Sequence, residues 1–188
     1  MKLIQRFTLF IALLLPLAGY TQTQYFLFSS QTDLLSGEST FAPLAGEKPV
    51  DVLSFSFGGF NAVSVNSFGI DVDGPQFQPL EFLIETDSKT LPQALRLLAD
   101  NTVLNKVTLE GYTESLDGFA PILRIELENV VVASLTLEGT DGDRGVFTLS
   151  LEWGQITMTT WSIDSTTGDF TANPSVTFDR VKGILVED

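Results

Sequence analysis

Two residue types are missing from the 188-residue chain altogether: it has no cysteine and no histidine. Without cysteine there is no disulfide, no thiol nucleophile and no lipidated cysteine to hold the chain to a membrane. Without histidine, zinc sites of the usual kind and Ser-His-Asp triads are excluded as well. Basic residues are scarce, 10 against 24 acidic ones, for a formal charge of −14. That balance repels nucleic acid and anionic lipid; solubility alone is its commoner cause, and it also suits a soluble protein whose partners are neutral, basic or metal ions. The apolar run from Phe7 to Leu17 is interrupted by Pro16. It is shorter than the roughly 20 residues that a bilayer-spanning helix needs.

What is present divides into a leader and a core. Met1-Lys2-Leu3-Ile4-Gln5-Arg6 is a basic start, the run to Leu17 is apolar, and Ala18 to Gln24 is a small and polar exit. That layout predicts a secretory signal peptide over residues 1–21, with cleavage near Gly19 to Thr23 and a periplasmic or extracellular destination. Removing Lys2 and Arg6 leaves 8 basic residues against 24 acidic ones, a charge of −16. Residues 24–188 are expected to form one domain. A chain that is 44% hydrophobic and carries 15 Phe can bury one substantial core.

The mature chain reads as short alternating segments. Tyr25 to Phe28 opens as a strand, and Ser29 to Pro49 is a long stretch rich in Ser, Gly, Thr and Pro. From Val50 to Phe57 the alternation places Leu53, Phe55 and Phe57 on one face and Ser54 and Ser56 on the other, before Gly58-Gly59 ends it. Asn61 to Gly74 is a variable stretch, and Leu80 to Glu85 is again strand-like. Further on, Val107 and Leu109 alternate with Lys106, Thr108 and Glu110, and Leu123, Ile125 and Leu127 with Arg124, Glu126 and Glu128. Gly139 to Gly145 is a turn signal. Beyond it Phe147, Leu149, Leu151 and Trp153 share a face, Ile156 to Ile163 follows, and a last strand is expected near Ile184-Leu185-Val186.

One helix interrupts this pattern. Thr90-Leu91-Pro92-Gln93 has the form of a capping box, Leu91, Ala94, Leu95 and Leu98 recur at helical spacing, and Asp100-Asn101 supplies the stop. About three turns of helix do not stand alone in water, so the Leu face must lie on the sheets. The expected fold is mainly β: a tight antiparallel barrel or sandwich with one short side helix.

Three chemical readings compete with a purely structural one. Asp71-Val72-Asp73-Gly74 and Asp141-Gly142-Asp143 resemble pieces of calcium loops. Position 12 counted from Asp71 is Phe82, however, where the helical calcium loop needs a bidentate Glu, so Asp-Gly turns are the better account. Glu126 and Glu128 lie on one strand face like a glycosidase pair, yet surface charge alternating with core is by far the commoner cause of that pattern. An exported acidic β-sandwich that binds carbohydrate through Trp153, Trp161 or Tyr112, or binds calcium, is the main rival. Trp153 falls in register with core residues. No residue is assigned a catalytic, cofactor or metal role.

Four stretches resemble the haemolysin-coregulated protein family, Hcp, the tube protein of type VI secretion. They are Val50-Asp51-Val52-Leu53-Ser54-Phe55-Ser56-Phe57-Gly58; Leu80 to Leu95 with its Asp87-Ser88-Lys89-Thr90-Leu91-Pro92 turn; Leu123 to Ser134 with Glu128-Asn129-Val130-Val131-Val132; and Phe147 to Thr160. The family often has Trp where Phe57 stands, and Leu91 is an extra residue before the proline. The resemblance covers roughly Tyr25 to Ile163. It implies a β-barrel with a side helix, six-membered rings that stack into a tube, spike, sheath or effector proteins as partners, and no catalytic chemistry. By position, Ser29 to Pro49 matches the extended loop the family uses between rings. The signal peptide departs from the family, whose tube subunits assemble in the cytoplasm, and suggests an exported ring or interaction protein. No nucleic-acid partner is expected, nor a membrane after signal cleavage.

Overall fold

The computed structural model describes residues 22–67, 69–115, 118–139, 145–164 and 166–187. Its strands are β1 (Gln24–Ser29), β2 (Val50–Ser56), β3 (Gly59–Asn66), β4 (Gly69–Phe77), β5 (Leu80–Glu85), β6 (Leu104–Ser115), β7 (Gly118–Glu138), β8 (Val146–Glu152), β9 (Gln155–Ile163), β10 (Phe170–Ala172), β11 (Val176–Asp179) and β12 (Ile184–Glu187). One α-helix, α1 (Thr90–Asp100), joins β5 to β6.

Six of these strands close an antiparallel barrel in the order β7-β6-β1-β2-β5-β8, with β8 pairing back onto β7. Closure depends on β7. Its first part pairs with β6 on one edge and β9 on the other, and after Asn129, at φ 54°, it turns to pair with β8. Asn accepts that left-handed conformation more readily than other side chains do. β9, β11 and β12 continue the sheet outside the barrel, and β10 pairs with the far end of β9. β3 and β4 form a separate two-stranded sheet. Of the two mainly-β architectures that the alternation left open, barrel or sandwich, the chain forms the barrel, with one side helix.

The alternating segments bury the residues that their period implies. Val107, Leu109, Ile125, Leu127, Phe147, Leu149 and Leu151 all face the core, and Trp153 joins them. β2 departs from the pattern. Val50 and Val52 point inward, but a bulge between Val52 and Ser54 inserts a residue. Past the bulge the inward parity changes, so Phe55 and Phe57 pack on the core while Leu53 is exposed.

The helix begins where expected, with a different cap and a rotated face. Lys89 occupies the cap position, and the Asp87 carboxylate accepts the Lys89 and Thr90 amides at 3.0 and 2.5 Å. Gln93 takes no part in a capping box, because its Oε1 accepts the Ser36 amide at 2.8 Å from the long loop. Thr90, Ala94 and Leu97 are buried and Leu95 is exposed, although Leu91 and Leu98 are partly packed. Asn101, at φ 50°, ends the helix as the sequence implied.

The loop from Ser30 to Pro49 lies against the barrel. Leu35 enters the core, and the Thr90 hydroxyl is 3.2 Å from the Ser36 carbonyl. Gly37 crosses so close to the next strand that a Cβ there would sit 2.3 Å from the Pro49 carbonyl oxygen. Phe41 then stacks on Phe26 with centroids 4.1 Å apart, and Leu44, in a 3-10 turn, is buried beside them.

Candidate functional site

The part of the chain that projects is β3 and β4, from the stretch that the sequence showed only as variable. Val63 pairs with Val72 and Val65 with Ile70, so four branched side chains share one face of the hairpin. They are 57%, 53%, 77% and 72% exposed in that order. Ser64 opposite Asp71, with Asp73, occupies the other face. Asp71-Val72-Asp73-Gly74 is therefore mid-strand in β4, and the Asp-Gly turn expected there is absent. An amphipathic two-stranded ribbon with its apolar face in water is not stable by itself and needs a surface to cover it.

The hairpin meets the barrel through aromatic rings. Phe57 precedes β3 and Phe77 ends β4; the two stack with centroids 5.8 Å apart and planes 8° from parallel. Trp153, just after β8, lies 6.2 Å from Phe57 and 5.5 Å from Phe77. Phe178 of β11 closes the group at 4.8 Å from Phe77. Gly59 leaves room for this packing, since a Cβ there would be 2.8 Å from the Phe77 ring. Arg180 stands 5.6 Å over the Trp153 ring and pairs with Glu152. Sequence reading identified Trp153 as core and missed Phe178, because the ring only acquires its neighbours when β11 pairs with β9.

A second polar group lies on the outward face of β6 and β7. Glu110, with its side chain 3% exposed, accepts the Tyr112 hydroxyl at 2.6 Å and Arg124 Nε at 2.5 Å. Burial, then the hydrogen bond to Glu110 and its charge, push the Tyr112 phenol well above its ordinary range. Arg124 also lies 5.7 Å over the Trp161 ring, so that face of the indole is occupied. Of the three aromatics considered for carbohydrate, Trp153 and Tyr112 are buried and Trp161 is partly so. Glu126 pairs with Lys106 across the strands, while Glu128 is exposed. Among the described residues there is no group of three or more acidic side chains placed to hold a metal ion. Asp141-Gly142-Asp143 lies outside the described residues.

The chain thus forms a closed barrel with a side helix and carries an uncovered apolar ribbon. The profile of the family described as "Type VI secretion system effector, Hcp" matches residues 26–160. The chain belongs to the Hcp family. A solved structure described as a type six secretion system protein matches at TM-score 0.77 and 18% identity, covering 88% of this chain and 100% of that one. Hcp1 from Salmonella typhimurium matches at TM-score 0.64 and 14% identity, covering 87% of this chain and 99% of that one. A mutant of Hcp1 from E. coli EAEC 042 matches at 0.61 and 16%, with 81% and 97% covered. At these identities the likeness is one of fold. No curated protein sequence matches the chain.

Proposed function

We propose that this chain is an exported, non-enzymatic structural relative of the type VI secretion tube protein, which assembles with copies of itself into six-membered rings that can stack. The observation that carries the reading is the uncovered face of Val63, Val65, Ile70 and Val72 on a hairpin standing clear of the barrel. Burying it in a neighbouring copy would satisfy both the hairpin and a cysteine-free chain that has no covalent bracing. The loop that matched the family's inter-ring loop by position lies against the barrel with Ala42, Pro43 and Ala45 to Lys48 exposed, and the hairpin is the larger uncovered apolar surface for such contact. Residues 24–188 act as one domain, and spike, sheath or effector proteins are the partners to be expected within a secretion machine. Residues 1–21 direct the chain to the general export route as a signal peptide. None of the helices among the described residues is long and apolar enough to cross a membrane.

The test uses protein purified from cells that express the full chain. Intact mass by spectrometry reports whether the leader has been removed, and light scattering with negative-stain images reports assembly. Hollow hexameric rings of processed protein support the proposal. A monomer at all concentrations overturns the assembly, and an unprocessed cytoplasmic product overturns the export.

A further inference from the structure

The hairpin is joined to the barrel by two short connections, Phe57-Gly58 before β3 and Gln78-Pro79 after β4. Across its base runs a backbone hydrogen bond from the Gln78 amide to the Gly58 carbonyl, 2.9 Å long. Two adjacent glycines, Gly58 and Gly59, give that junction little resistance to rotation. A ribbon attached in this way would swing unless something else fixed its direction. What holds it is the ring group at its foot, and one ring of that group comes from the far C-terminal part of the chain, beyond the segment that the family profile matches.

We propose that β11 is a clamp that aims the β3–β4 hairpin, with Phe178 and Arg180 as its positioning residues. The strand is well anchored. Val176 to Asp179 pair with Met158 to Gln155 of β9, the Thr177 and Thr157 hydroxyls lie 2.9 Å apart, and the Arg180 amide donates to the Gly154 carbonyl at 2.9 Å. From that base Phe178 presses on Phe77, the last residue of β4, and Arg180 covers Trp153, the ring on which Phe57 and Phe77 both rest. Phe178 thus acts on the hairpin through Phe77, and Arg180 acts through Trp153. The indole N–H of Trp153 is buried with no hydrogen-bond partner among the described residues, so packing in the core, against the other rings and under the guanidinium orients this side chain. The direction of the uncovered Val and Ile face therefore depends on residues about a hundred positions later in the chain.

The lack of cysteine makes the test direct, because an introduced pair is the only pair. Spin labels on Ser67→Cys, at the exposed hairpin turn, and Asn105→Cys, exposed on β6, report the distance from hairpin to barrel. Diluting labelled protein into an excess of unlabelled protein keeps the measurement within one protomer, whether or not the chain assembles. A failure of the clamp is therefore distinct from a failure of ring formation. Phe178→Ala is expected to broaden the distance distribution about twofold, and Phe178→Leu, which refills the space, to restore most of its width. A second pair, Asn105→Cys with Ser134→Cys, spans the barrel alone and should not change. Where Phe178→Ala does not fold, Arg180→Met serves instead and should broaden the first pair but not the second. Unchanged hairpin distances in the variant that folds, or equal broadening of both pairs, overturn the proposal.

Discussion

Replacing Val65 and Ile70 together with Asp puts two carboxylates on the apolar face of the hairpin. Full burial of such a side chain contributes about 1.5–3 kcal/mol. With 53% to 77% of each of the four residues in water, the face holds roughly 4–8 kcal/mol of unrealised burial. The double variant removes about half of that and adds about 1–3 kcal/mol for desolvating charged groups without partners. The expected loss is about 4 kcal/mol per contact, on the order of a thousandfold in the dissociation constant. Within the single chain the two carboxylates face each other across the Val65–Ile70 pair, so the hairpin itself should lose about 1 kcal/mol, while the barrel core, which neither side chain enters, should keep its melt. Light scattering over a concentration series, with thermal melts by circular dichroism, separates the two effects. Ser64→Ala with Asp71→Asn, on the opposite face, serves as the control and should leave association intact. Association of the Asp variant at the wild-type concentration, with an unchanged melt, would refute the assignment of this face.

The rotated helix face is checked by a pair of substitutions. Leu95→Gln should change stability by about 0.5 kcal/mol or less, whereas Leu97→Ala should cost about 2–5 kcal/mol in chemical denaturation. Arg124→Met leaves the buried Glu110 carboxylate with only Tyr112 as a partner. It should cost about 1–3 kcal/mol, a figure reduced because Arg124 is partly exposed, and adding Glu110→Gln should recover at least half. For Tyr112, folding raises the pKa above the unfolded phenol value of about 10. Its stabilising effect is complete below that pH and is lost as pH rises above it, because the unfolded phenol ionises first. Ultraviolet titration should therefore show no Tyr112 ionisation near pH 10 in the folded protein, and stability above that pH should fall less steeply in Tyr112→Phe.

The barrel itself was legible wherever one strand face meets the core. In β6, β7 and β8 a period of two is enough to mark Val107, Leu109, Ile125, Leu127, Phe147 and Leu149, all of them buried, whereas Leu123 is only partly covered and the outward-phase Thr108, Glu110 and Ser150 are buried by what packs on the other face. The same rule misplaced Leu53, because a bulge adds one residue and reverses the inward parity, and nothing in the composition of Val50 to Phe57 announces one. The capping box was misread for a related reason. Asp87 and Gln93 both have the chemistry to serve the helix start, and the choice fell to the loop that brings Ser36 to Gln93. The hairpin was the larger omission. Val63, Val65, Ile70 and Val72 alternate correctly, but with Gly, Asn and Asp among them and no core to face, the stretch resembled a loop.

By itself, then, the amino-acid sequence determined the class of the protein. The absence of Cys and His removed disulfides, thiol nucleophiles, Ser-His-Asp triads and the usual zinc sites, alternation set a barrel or sandwich, and Asn101 stopped the helix that follows β5. These properties depend on neighbours along the chain, which a sequence displays directly. Only the tertiary structure decided which surfaces matter. Whether an apolar ribbon is core or contact face, and whether Phe178 is a tail residue or part of the ring group beneath that ribbon, depends on pairings between segments as distant as β4 and β11. Such pairings are set by the closure of the whole sheet, and no local pattern encodes them.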